Sequence, residues 1–294
     1  MPTVLLFGAT GQVGSAVARL LRGRQPCPRL IALSSAQADF RRPDSLRDLV
    51  RRERPDFIVN AAAYTAVDRA ESEIELAHLI NATAPGVLAE EAARIGASLL
   101  HYSTDYVFEG SAAEPYSEND VPNPLSAYGR SKLAGERAIA ITGARHVIIR
   151  TSWVYSSRGS NFLLTMRRLF QERDEVRVVN DQYGAPTSAG FLAHATLVVL
   201  ETALRRADFA GGVYHLTASG YTTWFGFAQR IYESLKSREP LKCGRVVPIA
   251  TDEYPTPARR PRWSVLDSSK FQREFGLAPS SWQEQLDSVL VELQ

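Results

Sequence analysis

Val4-Leu5-Leu6-Phe7-Gly8-Ala9-Thr10-Gly11-Gln12-Val13-Gly14 is the stretch that decides the fold. An apolar run of four meets a glycine cluster of spacing G-x-x-G-x-x-G (Gly8, Gly11, Gly14), and an amphipathic stretch with Val17, Leu20 and Leu21 follows. The pattern reads as strand, tight turn and helix. Glycine lets the chain turn sharply and lets backbone approach a ligand closely. The helix start offers unpaired N–H groups and a partial positive charge, which suits a pyrophosphate. The spacing alone is a weak signal and equally describes a turn packed around glycine. Its place directly after a strand and before a helix favours a dinucleotide site.

Working outward, further apolar runs lie at 30–33, at 57–59 ending in Asn60-Ala61-Ala62-Ala63, at 98–102 ending in Ser103-Thr104-Asp105, and at 146–150 ending in Thr151-Ser152-Trp153. Helical patterns at 44–52, 74–95 and 127–141 alternate with them. Such alternation predicts β-α-β units around a parallel sheet, whose strands are continuously apolar because both faces are covered. Past residue 159 the rhythm loosens: 162–173 reads as helix, 176–179 as strand and 191–204 as a long apolar helix, too short to span a membrane. A Pro- and Arg-rich loop occupies 254–261. The expected architecture is α/β: a Rossmann-type, doubly wound parallel sheet over 1–158 with part of 180–220, and a smaller mixed α/β substrate-binding lobe made mostly of 159–294.

Composition sets the outer bounds. The chain has 294 residues, 34 Lys+Arg against 32 Asp+Glu and a net charge of +2, so it is not built around a polyanion, and no nucleic-acid partner is expected. Cys27 and Cys243 are far apart and outside any C-x-x-C or Cys/His cluster, which reads as free thiols in a reducing compartment. The N-terminus lacks a basic leader region and its apolar run is too short for a signal peptide or membrane span, so a cytoplasmic protein with no membrane partner is expected. His78, His194 and His215 have no ligand-like spacing and read as packing or surface residues; His101 and His146, in apolar strands, read as satisfied core residues.

A second constellation is Tyr128-Gly129-Arg130-Ser131-Lys132. Tyr and Lys at i and i+4 share one helix face. An ammonium beside a phenol lowers its pKa from about 10, which suits general acid work. Alone the pair is as often a surface pair; here Ser103-Thr104-Asp105 would share the same carboxyl edge of the sheet. NAD sites usually carry an acidic residue after the second strand, but here Ser34-Ser35 stand there. That favours NADPH, with NADH as the alternative. Arg41 and Arg42 nearby are 2′-phosphate contacts or solvated charges, and Asp39, before Phe40, faces adenine or caps a helix.

GATGQVG, Asn60-Ala61-Ala62-Ala63-Tyr64-Thr65, Tyr102-Ser103-Thr104-Asp105-Tyr106-Val107-Phe108 and Tyr128-x-x-x-Lys132, in this order, resemble the extended short-chain dehydrogenase/reductases. Arg150-Thr151-Ser152-Trp153-Val154-Tyr155, Asn180-Asp181-Gln182-Tyr183-Gly184-Ala185-Pro186-Thr187, Tyr214-His215-Leu216 and the 255–261 loop resemble, more specifically, the dTDP-4-dehydrorhamnose reductase family over almost the whole chain. The resemblance implies hydride delivery from NAD(P)H to the 4-keto carbon of a dTDP-linked 6-deoxyhexose. It implies Tyr128 as proton donor, Lys132 on the nicotinamide ribose and depressing the Tyr128 pKa, and Thr104 on the same substrate oxygen. It further implies cofactor contacts at Gly8, Gly11, Gln12, Val13, Ser34, Asp39, Phe40, Ala63, Tyr64, Thr65 and Tyr102. Asp105, Tyr106 and Trp153 fall on the sugar-nucleotide positions, and Arg259 and Arg260 near the diphosphate.

One departure stands out. Enteric members bind magnesium at a dimer interface through three carboxylates, and the matching positions here are Ala16, Gly190 and Glu292. One carboxylate of three does not make that site. No metal is expected, and a monomer or weak homodimer. The alternatives weighed are an epimerase or dehydratase on another nucleotide sugar, against which Asp105-Tyr106 stands where a dehydratase would need an Asp-Glu pair, and a non-catalytic regulatory relative, against which Thr104, Tyr128 and Lys132 are intact.

Overall fold

The apolar runs become β1 (Thr3–Phe7), β2 (Arg29–Leu33), β3 (Phe57–Asn60), β4 (Ser98–Thr104) and β5 (Arg145–Thr151) in a computed structural model that describes residues 1–206 and 211–293. The helices between them are α1 (Gln12–Arg22), α2 (Pro43–Glu53), α3 (Ile74–His78), α4 (Ala84–Ile95) and α5 (Ala127–Ala140). Later come β6 (Val154–Tyr155), α6 (Phe162–Glu172), β7 (Glu175–Val179), β8 (Tyr183–Gly184), β9 (Thr187–Ser188) and α7 (Ala189–Arg205). The chain closes with β10 (Gly212–His215), β11 (Thr222–Thr223), α8 (Trp224–Lys236), β12 (Arg245–Ile249), α9 (Ser269–Phe275) and α10 (Trp282–Val291).

Six strands form one parallel sheet in the order β10-β5-β4-β3-β1-β2. The chain reverses direction across the sheet at β1, so a crevice opens between the carboxyl ends of β1 and β3, where ligands of open α/β sheets collect. One face is covered by α1, α7 and α9 through Val17, Leu21, Leu192, Leu200, Phe271 and Phe275. The other is covered by α2, α4 and α5 through Leu46, Val50, Leu88, Ala92 and Ile139. Both faces being dry explains why the strand sequences carry no polar alternation.

A separate core, with Tyr155, Phe170, Val176, Phe227, Ile231, Trp282 and Leu286, holds α6, α8, α10 and the parallel pair β7–β12. The later chain is therefore divided: α7, β10 and α9 return to the sheet, while the rest packs around this second core.

The 74–95 pattern, read as one helix, is interrupted by a π turn at Leu79–Thr83. Pro85 has no N–H to give the Asn81 carbonyl four residues back. That carbonyl sits so close to Gly135 of α5 that a Cβ there would lie 2.0 Å away. The irregular turn presents the Asn81 side chain to the site.

Candidate active site

The first glycine turn is built for close approach. Gly8 has φ +75°, and a Cβ on it would lie 2.6 Å from the Ala61 backbone at the end of β3. A Cβ on Gly14 would lie 2.1 Å from the Gly8 carbonyl, so α1 starts hard against the turn. Beside it lies a cavity of about 540 Å³ lined by Gly8, Gly11, Asp39, Phe40, Arg41 and Ala63 among others. A cradle of bare backbone at a helix start fits the pyrophosphate of a dinucleotide. Gln12 faces the other lobe: its Nε2 donates to the Val154 carbonyl (3.4 Å), and its Oε1 accepts from Ser156 Oγ (2.9 Å) and Asn161 Nδ2 (2.9 Å). Val13 packs against the sheet core.

At the far end of that cavity the side chains are engaged with one another. The Ser34 N–H and hydroxyl both donate to Gln37 Oε1 at 3.0 Å. Asp39 takes a two-point ion pair from Arg41, Nε to Oδ1 and Nη2 to Oδ2, both at 2.9 Å, and these hydrogen bonds hold its carboxyl below the usual range. Phe40 is buried edge-on against Phe7. On the opposite wall, Asn81 clamps the 61–65 loop: its Oδ1 accepts from the Tyr64 N–H (2.8 Å), and its Nδ2 donates to the Tyr64 carbonyl and to Ser131 Oγ, both at 3.0 Å. Tyr64 Oη donates to Glu73 (2.6 Å), and Thr65 is exposed.

Thr104 closes β4 and caps the following turn, accepting the Tyr106 N–H at 3.2 Å and donating to Asp105 Oδ1 at 3.1 Å. Opposite it α5 starts on the Ser126 cap, which accepts the Gly129 N–H at 3.1 Å. A Cβ on Gly129 would lie 2.2 Å from the Tyr106 carbonyl, so glycine here lets α5 close on that turn. Tyr128 thereby meets Tyr106 edge-to-face at 6.0 Å. Burial pushes the Tyr128 phenol up to about 12, a hydrogen bond with Thr104 works against that, and the Asp105 charge adds to it. Asp105 itself is 2% exposed, and its Oδ2 has no hydrogen-bond partner among the described residues. Burial pushes its carboxyl up to about 7, although Ser264 approaches closely enough to lower it.

The expectation that Lys132 lowers the Tyr128 pKa is corrected by where the amine goes. Nζ donates to the Tyr102 carbonyl (2.6 Å) and lies 3.1 Å from His101 Nε2, and it is fully buried, which lowers it to about 8 with Glu136 opposing. The Tyr102 ring points away, under α7, to Thr196 and the Leu192 carbonyl (3.1 Å). Behind Lys132, Glu136 takes a two-point pair from Arg150 (2.7 and 3.0 Å) and accepts from Ser103 Oγ at 2.5 Å.

The second lobe brings Trp153 with a left-handed backbone (φ 46°), unusual for a bulky residue. Its ring stacks on Trp224 at 3.6 Å, and a Cβ on Gly184 would lie 2.5 Å from it. Arg260 is turned inward, donating to Asp68 Oδ2 at 2.8 Å and to the Ala258 carbonyl at 3.3 Å, close to the Tyr106 hydroxyl. Arg259 faces solvent. The two neighbouring arginines thus diverge. Asn60, His101, Asn81, Asp68 and Trp224 join the site although the sequence reading assigned them no role in it.

Ala16, Gly190 and Glu292 line one pocket together with Arg19, Arg22 and Arg158. Glu292 accepts from Ser157 Oγ (2.8 Å) and lies 3.8 Å from Arg19. Three guanidiniums and one carboxylate do not fit a divalent cation, which needs several oxygen ligands. Among the described residues, no three His, Cys, Asp or Glu side chains converge as a metal site, and no helix is long and apolar enough to cross a membrane.

A family model described as the RmlD substrate binding domain matches residues 2–294. The dTDP-4-dehydrorhamnose reductase of Escherichia coli K12 is 48% identical, covering 99% of this chain and 97% of its own length. That of Burkholderia thailandensis is 46% identical over 95% of both. Among solved structures, dTDP-4-dehydrorhamnose reductase from Bacillus anthracis str. Ames in complex with NADP superposes with a TM-score of 0.91 at 34% identity, covering 99% of each chain.

Proposed function

The chain belongs to the dTDP-4-dehydrorhamnose reductase family, and from that premise we propose how its own residues carry the reaction. It reduces the 4-keto group of dTDP-4-dehydro-β-L-rhamnose to the hydroxyl of dTDP-β-L-rhamnose with NAD(P)H. The nicotinamide cofactor, when bound, supplies the hydride. Gly8, Gly11, Gln12 and Val13 would receive its pyrophosphate at the start of α1, Ser34, Asp39 and Phe40 its adenosine end, and Ala63, Tyr64, Thr65, Tyr128 and Lys132, with the backbone at Tyr102, the nicotinamide end. Asp105, Tyr106 and Trp153 hold the hexose, and Arg260, with Arg259 at the rim, the diphosphate.

The observation that carries this reading is that Thr104, at the carboxyl end of β4, hydrogen-bonds Tyr128 of α5, while Lys132, one turn on, packs against the same strand through the Tyr102 carbonyl. As hydride adds to C4, the C=O π pair moves onto oxygen. The Tyr128 O–H bond breaks to form the product O–H, and Thr104 steadies the same oxygen by hydrogen bonding. A phenol pushed up to about 12 by burial is fully protonated at neutral pH, as a proton donor must be. The phenolate left behind lies one helical turn from Lys132 and recovers its proton from solvent.

The test is NADPH oxidation with dTDP-4-dehydrorhamnose, run beside Tyr128→Phe. The variant should lose roughly 10²–10⁴-fold in kcat, the usual worth of a general acid. An inert wild type, or an unaffected variant, refutes the mechanism. Asp39 is already paired with Arg41 and Ser34-Ser35, not a carboxylate, directly follow β2, so NADPH should be preferred to NADH. A chelator should leave turnover intact, and the protein should sediment as a cytoplasmic monomer or weak homodimer.

A further inference from the structure

His101 and Lys132 are both buried and meet inside the molecule, Nε2 to Nζ at 3.1 Å. On its other side, His101 Nδ1 lies 2.9 Å from Nδ2 of Asn60. Ala62 fixes which atom of that amide faces the ring, because its backbone N–H donates to Asn60 Oδ1 at 3.1 Å. Exchanging the two amide atoms would set donor against donor. The amide nitrogen therefore donates to Nδ1, and a neutral imidazole whose Nδ1 accepts carries its proton on Nε2. That N–H points at Nζ, which also donates to the Tyr102 carbonyl at 2.6 Å. An ammonium has three donors and no lone pair, so it cannot accept the Nε2–H; an amine can accept it and still serve the carbonyl.

We propose that His101, oriented by Asn60, is a positioning residue that aims an N–H at Nζ and holds Lys132 as an accepting amine instead of a fixed ammonium. The groups facing the pair come from each packed element. From β3 there is Asn60, from β4 the Tyr102 carbonyl, and from α5 Tyr128 one turn before Lys132 and Glu136 one turn after. From β5, Arg150 engages both Glu136 oxygens. Glu136 alone favours the ammonium, but its carboxylate is already shared between Arg150 and Ser103, and burial prevails. Burial and Lys132 together hold His101 well below its ordinary range, so the ring stays neutral. A lysine that gives and takes a proton near neutral pH can serve a phenol that loses one at every turnover.

The chain has four lysines, Lys132, Lys236, Lys242 and Lys270, which makes a direct test practical. In the ligand-free protein labelled with ¹³C-lysine, the Cε resonance that disappears in Lys132→Met is followed against pH. It should titrate near or below pH 8, well under the ordinary lysine value of about 10.4. In His101→Leu the midpoint should rise by roughly one pH unit, the worth of one neutral hydrogen bond. In His101→Gln, whose amide keeps an N–H for Nζ, it should stay near wild type. Should His101→Leu fail to fold, Asn60→Ala gives the same rise, because the ring is then free to move its proton to Nδ1.

A wild-type Lys132 that titrates at the ordinary lysine value of about 10.4, or a midpoint unmoved by these changes, overturns the proposal. Only the kinetic arm depends on Lys132 serving Tyr128 in the reaction above: the alkaline limb of kcat/KM should follow the resonance upward. A resonance that moves while the limb stays put upholds the His101–Lys132 link and counts against the role of Lys132 in turnover.

Discussion

Lys132 on α5 and Arg150 on β5 beside it are both buried cations, 1% and 4% exposed, yet their surroundings differ in kind. Arg150 meets a carboxylate through two parallel hydrogen bonds, with Ser103 completing Glu136 and Phe108 lying 5.2 Å below the guanidinium. Lys132 meets a carbonyl and a neutral imidazole. A buried charge that finds its counter-charge becomes structure; one that finds only dipoles remains able to titrate. One turn of helix, from Lys132 to Glu136, separates a group held ready for chemistry from a group held fast.

The sharpest way to break this contrast is to make Arg150 resemble Lys132. Glu136→Gln leaves the guanidinium buried without a counter-charge and should cost about 3–5 kcal/mol of unfolding free energy in urea. A cost below about 1 kcal/mol would mean the pair is not the fixed element argued above. Asp105 offers the mirror case, an anion without a cation. Its folded pKa is raised, so the stability it contributes is full below the unfolded value of about 4 and is lost as pH rises through about 7. Asp105→Asn should therefore match wild type near pH 4 and exceed it near pH 8 by up to about 4 kcal/mol, at about 1.4 kcal/mol per pH unit. Equal stability at both pH values would show the carboxyl to be solvated.

Lys132 comes next. Its folded pKa is lowered, so its contribution is present above the unfolded value of about 10.4 and lost as pH falls through about 8. Lys132→Met should then be more stable than wild type at pH 7, by up to about 3 kcal/mol, with the advantage shrinking towards pH 10. Turnover should be lost in the same variant. A destabilised Lys132→Met would place the lysine with Arg150 among the structural cations.

How much of this was legible in sequence follows the same division. The sheet was, because strands covered on both faces are uniformly apolar, and the cradle was, because Gly8 and Gly14 stand where a Cβ has no room. Tyr128 and Lys132 were, because helical spacing is a local rule. His101 was read as a satisfied core residue, and it is one, but its partners depend on strand register: Asn60 and His101 are direct neighbours across β3 and β4. No periodicity within either strand reveals that pairing. Trp224 and Asp68 were invisible for a related reason, since each reaches the site by packing against residues far away in the chain, Trp153 and Arg260. The direction of the Lys132 amine is not legible, because i, i+4 spacing places two side chains on one face without fixing which partner each selects.

The smallest effect is expected where the tie between the two lobes is neutral. Gln12 sits in the glycine cradle, and its carboxamide holds Val154, next to Trp153, as well as Ser156 and Asn161 at the cap of α6. Ser156 and Asn161 keep other partners when it is removed, since Ser156 Oγ also donates to the Arg158 carbonyl (2.8 Å) and Asn161 Nδ2 to the Ser156 carbonyl (2.9 Å). Gln12→Ala should therefore cost only about 1 kcal/mol in urea unfolding, the net worth of a neutral hydrogen bond. Its effect on binding should be of another kind. One of the three bonds joins the residue after Gly11 to the residue after Trp153 and the other two reach Ser156 and the cap of α6, so losing them loosens the cofactor turn and the sugar wall together. KM for NADPH and for the sugar nucleotide should rise in parallel, by up to about tenfold, with kcat little changed. A rise confined to NADPH would leave Gln12 a cofactor contact alone, and the two lobes would then be joined by their apolar contacts without this polar tie.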